Sequence, residues 1–129
     1  MAVQVTTETK GGVLSDLLAY EVDYRWSRQE ITLAATTAVI NAGAVLEVSS
    51  TTGNYSPLAT DGESSPTVNA AVAVLLEDAP INTGTQKALA VLRGAVVNGS
   101  KLVFASAITA DMQKTAKAAL TALGIVVKE

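Results

Sequence analysis

The sequence predicts a mainly β (α+β) domain with one helix near its C-terminus. Three observations lead there. Apolar stretches are short and broken by turn residues, helix-period patterning occurs in one segment only, and small and β-branched side chains dominate the apolar content. Of 129 residues, 22 are Ala and 16 are Val, while aromatics make up 4%. Such a composition packs strands closely but supplies few bulky groups for a deep ligand pocket. At 13.2 kDa and a mean hydropathy of +0.34, the chain fits one compact core plus tails.

Residues 1–12 are polar and Thr-rich and close on Gly11-Gly12, so they are expected to be a mobile tail. The sharpest pattern follows. Leu18, Tyr20, Val22, Tyr24 and Trp26 alternate with Ala19, Glu21, Asp23, Arg25 and Ser27, which is strand period and predicts one strand running through Trp26. Three of the five aromatic residues, Tyr20, Tyr24 and Trp26, fall here; Tyr55 and Phe104 are the others. An aromatic stripe of this kind fits a core strand or a binding strand, and its place beside a polar tail favours the second.

Residues 31–33 and 38–40 read as short strands ahead of Asn41-Ala42-Gly43. Residues 44–48, the turn Thr52-Gly53-Asn54 and residues 55–58 form a hairpin pattern. Residues 60–66 read as a polar loop. Two continuous apolar runs, 70–76 and 88–92, flank a stretch holding Pro80 and Gly84, and predict strands covered on both faces. Asn98-Gly99 predicts a tight turn before a strand at 101–104. In the helical segment Thr109 can cap, Asp111 falls in the first turn, and Met112, Ala116, Leu120 and Leu123 recur on one face. Gly124 suits the residue that ends a helix, and residues 125–127 leave as a terminal strand.

The absence of His and Cys excludes His general bases, Cys nucleophiles, Ser-His-Asp triads, disulfides and zinc sites built on those ligands. A net charge of −3 and a pI near 4.9 argue against a basic stripe for nucleic acid. No basic and apolar leader pattern opens the chain, and no apolar run approaches the ~18 residues of a membrane span. A soluble protein made in a reducing cytoplasm is expected, so the triplets Asn54-Tyr55-Ser56 and Asn98-Gly99-Ser100 carry no expectation of glycans. The stretch from Gly94 to Lys101 has Ser100 and Lys101 in the wrong order for a phosphate loop, and a strand-like segment follows instead of a helix. Asp61-Gly62-Glu63 and Glu77-Asp78 lack the ligand spacing of a calcium loop. Arg25 and Arg28 flank Trp26, but Glu21, Asp23 and Glu30 make this an ordinary charged strand face. The expectation is a protein that is not an enzyme, with no cofactor, metal, nucleic acid, membrane or small-molecule partner.

Several strings resemble one family. They are Ala70-Ala71-Val72-Ala73-Val74-Leu75-Leu76-Glu77-Asp78, the run from Lys87 through Arg93-Gly94-Ala95-Val96-Val97 to Asn98, and Ala119-Leu120-Thr121-Ala122-Leu123-Gly124-Ile125-Val126-Val127. Ser27-Arg28-Gln29-Glu30-Ile31-Thr32-Leu33 and Ala42-Gly43-Ala44-Val45-Leu46 followed by Gly53-Asn54-Tyr55 add to them. In this order they resemble the lambda-like phage head decoration proteins. The resemblance implies a β-tulip-like domain over 31–129, with residues 1–30 as flexible tail and capsid-binding arm. It further implies a homotrimer on the exterior of the expanded head, at local threefold sites, clamping subunits of the major capsid protein. An arm of this kind adds a strand to a coat-protein sheet, and the residues expected to carry it are Leu14, Leu17, Leu18, Tyr20, Val22, Tyr24 and Trp26. Two other readings stay open: another virion subunit, such as a tail tube or fibre, and a small β-barrel binding module.

Overall fold

A computed structural model describes residues 17–62 and 66–128. In chain order the elements are β1 (Leu18–Glu21), a helical turn α1 (Tyr24–Ser27), β2 (Arg28–Leu33), β3 (Val45–Val48), β4 (Tyr55–Pro57), β5 (Thr60–Asp61), β6 (Thr67–Val68), β7 (Ala73–Leu75), β8 (Gln86–Val91), β9 (Ala95–Asn98), a 3-10 turn (Gly99–Lys101), α2 (Ala110–Ala122) and β10 (Ile125–Lys128). Residues 1–12 and Leu14 lie outside the described residues.

Five strands close a barrel in the order β2-β4-β3-β7-β8. β2 runs antiparallel to β8 from Arg28↔Val91 to Leu33↔Gln86, and β4 closes the ring onto β2 at Leu33↔Tyr55. Alternate residues of the barrel strands, including Ile31, Leu33, Leu46, Ala73, Leu75, Ala88 and Ala90, gather with Ile40, Ala44 and Ala79 in one buried cluster. Five of these ten are alanine. A five-stranded barrel has room for little else, which gives five of the 22 alanines a packing reason.

The opposite faces of the same strands are buried as well. Val45, Val74 and Val91 pack with Ala95, Val97 and Ile125 of a three-stranded sheet, and with Ala116 and Leu120 of α2. Strands covered on both faces are what the uninterrupted runs at 70–76 and 88–92 predict. In the smaller sheet the order is β1-β9-β10. β10 runs parallel to β9 in the register Ile125↔Ala95, Val126↔Val96, Val127↔Val97, and α2 lies in the connection that a parallel pair requires.

α2 begins as the sequence predicts: Thr109 Oγ1 accepts from the Met112 N–H at 3.3 Å, and Asp111 sits in the first turn. At its far end Leu123 departs from the expected apolar face. The last helical residue is Ala122, so Leu123 leaves the helix direction and stands 44% exposed.

Three local expectations are corrected. Residues 38–40 and 101–104 form isolated bridges, Ile40↔Ala79 and Ala44↔Val103, because the 3-10 turn and the loop at Gly43 bring each segment alongside a partner at a single residue. The 60–66 stretch opens on a short ladder, with Thr60↔Val68 and Asp61↔Thr67. The Glu47 carboxylate secures the base of that ladder by accepting from Ala59 N at 2.8 Å and Asn69 Nδ2 at 3.0 Å.

Candidate docking site

β1 pairs antiparallel with β9 through Leu18↔Val97, Tyr20↔Val96 and Glu21↔Ala95. From Leu18 to Tyr20 the first strand advances two residues while β9 advances one, so β1 carries a bulge. The extra residue changes which side chain faces which way. Leu18 packs against the core, whereas Tyr20 stands 62% exposed.

The single strand expected through Trp26 therefore does not form. β1 ends at Glu21, Val22 and Asp23 turn the chain, and Tyr24 opens the helical turn α1. The cause is local side-chain chemistry that competes with the ladder. Asp23 Oδ1 accepts from the Arg25 N–H at 2.9 Å, and its carbonyl accepts from Trp26 N at 2.8 Å and Ser27 N at 2.7 Å. The Arg25 backbone N–H, and after it the Arg25 guanidinium, hold the Asp23 carboxyl below its usual range. A lowered native pKa makes this cap fully effective above the ordinary carboxylate pKa of about 3.9, and it weakens only as pH falls toward the native value.

The turn is fastened to the start of β9. Gly94 O accepts from Val22 N at 2.8 Å and from Ser27 Oγ at 2.9 Å, and Ser27 is fully buried. Arg28 grips the Glu21 carboxylate through Nε at 3.1 and 3.0 Å and Nη2 at 2.7 Å, tying the end of β1 to the start of β2. This fork geometry in a half-buried setting favours one arrangement of the intervening loop.

One face of the three-stranded sheet is thereby left apolar and open. Tyr20, Val96 and Val126 share a cross-strand row, with Tyr20 at 62% and Val126 at 47% exposure, and Val22 at 60% and Trp26 at 51% are exposed as well. Beside the row runs an open groove lined by Val22, Trp26, Val48, Leu92, Arg93 and Leu123. Among the described residues, β1 pairs on one side only and is an edge strand of its sheet.

The residues expected in an arm thus divide. Tyr20, Val22 and Trp26 all stand at the surface, with Val22 and Trp26 lining one groove, whereas Leu17 is buried in the core and Leu18 is half-buried against it. Tyr24 lies in α1. β1 and the first three residues of β2 fall within 1–30, and both pair with body strands. Arg93, Leu123 and Val126 were not expected at the site. Their signal was present in the strings around Gly94 and Gly124, which pair side by side as β9 and β10.

A barrel with an attached sheet leaves exposed aromatic and aliphatic side chains on one face, the kind of surface that marks an interaction site rather than a catalytic pocket. The chain belongs to the bacteriophage lambda head decoration protein D family, whose family model matches residues 6–125. Searches of curated proteins and of solved structures each found no match. The family is a structural one: the protein decorates the phage head and is located on the exterior of the capsid in the virion.

Proposed function

We propose that the protein assembles as a homotrimer at local threefold positions of the expanded head and clamps neighbouring coat subunits together. In this reading the N-terminal 1–30 segment makes the main coat contact, with a coat strand meeting the open edge of β1. The single observation that carries it is the exposed trio Tyr20, Val22 and Trp26 on and beside that edge.

Magnitudes support a pre-set contact. Burying one large apolar side chain contributes about 1.5–3 kcal/mol, and roughly half of that is still available for residues that are half exposed. Ordering free backbone costs about 1–2 kcal/mol per residue. Because β1 and α1 are already fastened to β9, docking does not bear that cost for residues 18–27. Main-chain pairing at the edge adds to the apolar term, and three copies acting through one rigid trimer convert a modest contact into lasting attachment.

Mixing the purified chain with unexpanded and expanded heads tests the proposal. The protein is expected to sediment as a trimer when free and to coat expanded heads alone, at three copies per local threefold site. Equal coating of both kinds of head, or a monomer bound singly, contradicts it.

A further inference from the structure

We propose that Gly94, together with Arg93 and Ser27, is a positioning element that presents Trp26 to the coat as a pre-set anchor. This inference rests on the docking reading above. Trp26 is the one tryptophan of the chain, and about half of its surface is open. An exposed ring ordinarily samples several rotamers, and a partner that captures it must first immobilise it. In this protein the ring has a seat. It lies on the bare Cα of Gly94, where a Cβ would stand 2.2 Å from Trp26 Cζ3 and 2.9 Å from Cε3.

The rest of the seat is built around the same residue. Arg93 Cζ lies 5.9 Å from the ring centroid, within cation–π range, and its guanidinium donates to the Trp26 carbonyl oxygen and to Gln29 Oε1 at 3.1 Å. Below the ring, Gly94 O receives the Val22 N–H and the Ser27 hydroxyl, so residues on both sides of Trp26 are held by the residue that the ring covers. The positive φ of Gly94, +59°, does not by itself require glycine, because asparagine also adopts the left-handed region. The contact with the ring does require it: any Cβ there must push Trp26 aside.

A mutant cycle with the full chain and undecorated expanded heads tests this. The variants are Gly94→Asn, Trp26→Ala and the two combined. Gly94→Asn is expected to shift the Trp26 fluorescence emission and raise its accessibility to a soluble quencher, with binding per subunit weakened roughly tenfold. The double variant should bind no worse than Trp26→Ala alone. Arg93→Lys, which keeps the charge but loses the planar stack, repeats the cycle without altering the backbone and should follow the same rule. Losses of equal size in the Trp26→Ala background would assign Gly94 and Arg93 to the fold alone and overturn the proposal, as would unchanged emission and binding in both. Normal binding by Trp26→Ala is a separate result, and it would sink the docking reading itself.

Discussion

Replacing Tyr20 and Trp26 together by alanine is expected to abolish head decoration while leaving the fold in place. The two side chains are about half exposed or more, at 62% and 51%, so truncating both should cost the folded state roughly 1–3 kcal/mol, less than the 5–15 kcal/mol typical of a whole domain. Buried at an interface, each is the kind of anchor whose removal costs about 2 kcal/mol or more, so the pair should weaken binding per subunit by roughly 10²–10³-fold. In a trimer the deficit is repeated at each contact. Co-sedimentation with expanded heads, alongside thermal unfolding of the free variant, checks both halves. Full decoration by a folded double variant would remove the β1 face from the account.

The second large effect concerns stability. Gly43→Ala should destabilise the domain by roughly 2–5 kcal/mol, a sizeable share of the 5–15 kcal/mol typical of a whole domain. Gly43 has φ +97°, and a Cβ there would lie 2.3 Å from the Lys101 carbonyl oxygen. The backbone cannot move away easily. Gly43 N donates to Leu75 O at 2.8 Å and Gly43 O accepts from Val103 N at 2.9 Å, joining the barrel to the segment that leads into α2. A urea titration should show the midpoint falling with little change in slope. A midpoint within error of the parent would mean that the loop relaxes at no cost.

Which parts of this architecture could be read from the chain follows from the range of the interactions involved. The hairpin around Thr52-Gly53-Asn54, the doubly covered strands and the start of α2 depend on periodicity, turn chemistry and capping, all of which act within a few residues. The segment from Leu18 to Trp26 shows the limit. Its alternation is real, but a bulge between Leu18 and Tyr20 and the Asp23 cap divide it into a short strand and a helical turn. Neither feature leaves a mark on hydropathy.

Partner choice was less legible still. β1 finds β9 more than seventy residues later, and Ser27 finds Gly94 across 67 positions. No local pattern encodes such a pairing. The site was half visible for the same reason: Tyr20, Val22 and Trp26 could be named from their own segment, but Leu123 and Val126 join them only because β10 lies parallel to β9. Leu123 sits on the apolar period of α2 and became a surface residue where the helix ended one residue earlier.

A cryo-electron microscopy map of expanded heads decorated with the full chain tests the central claim most directly. Tyr20, Val22 and Trp26 are expected at the coat surface, with β1 alongside a coat strand and Trp26 still seated on Gly94. A map in which the β1-β9-β10 face points to solvent, with the coat bound through another part of the barrel, would contradict it.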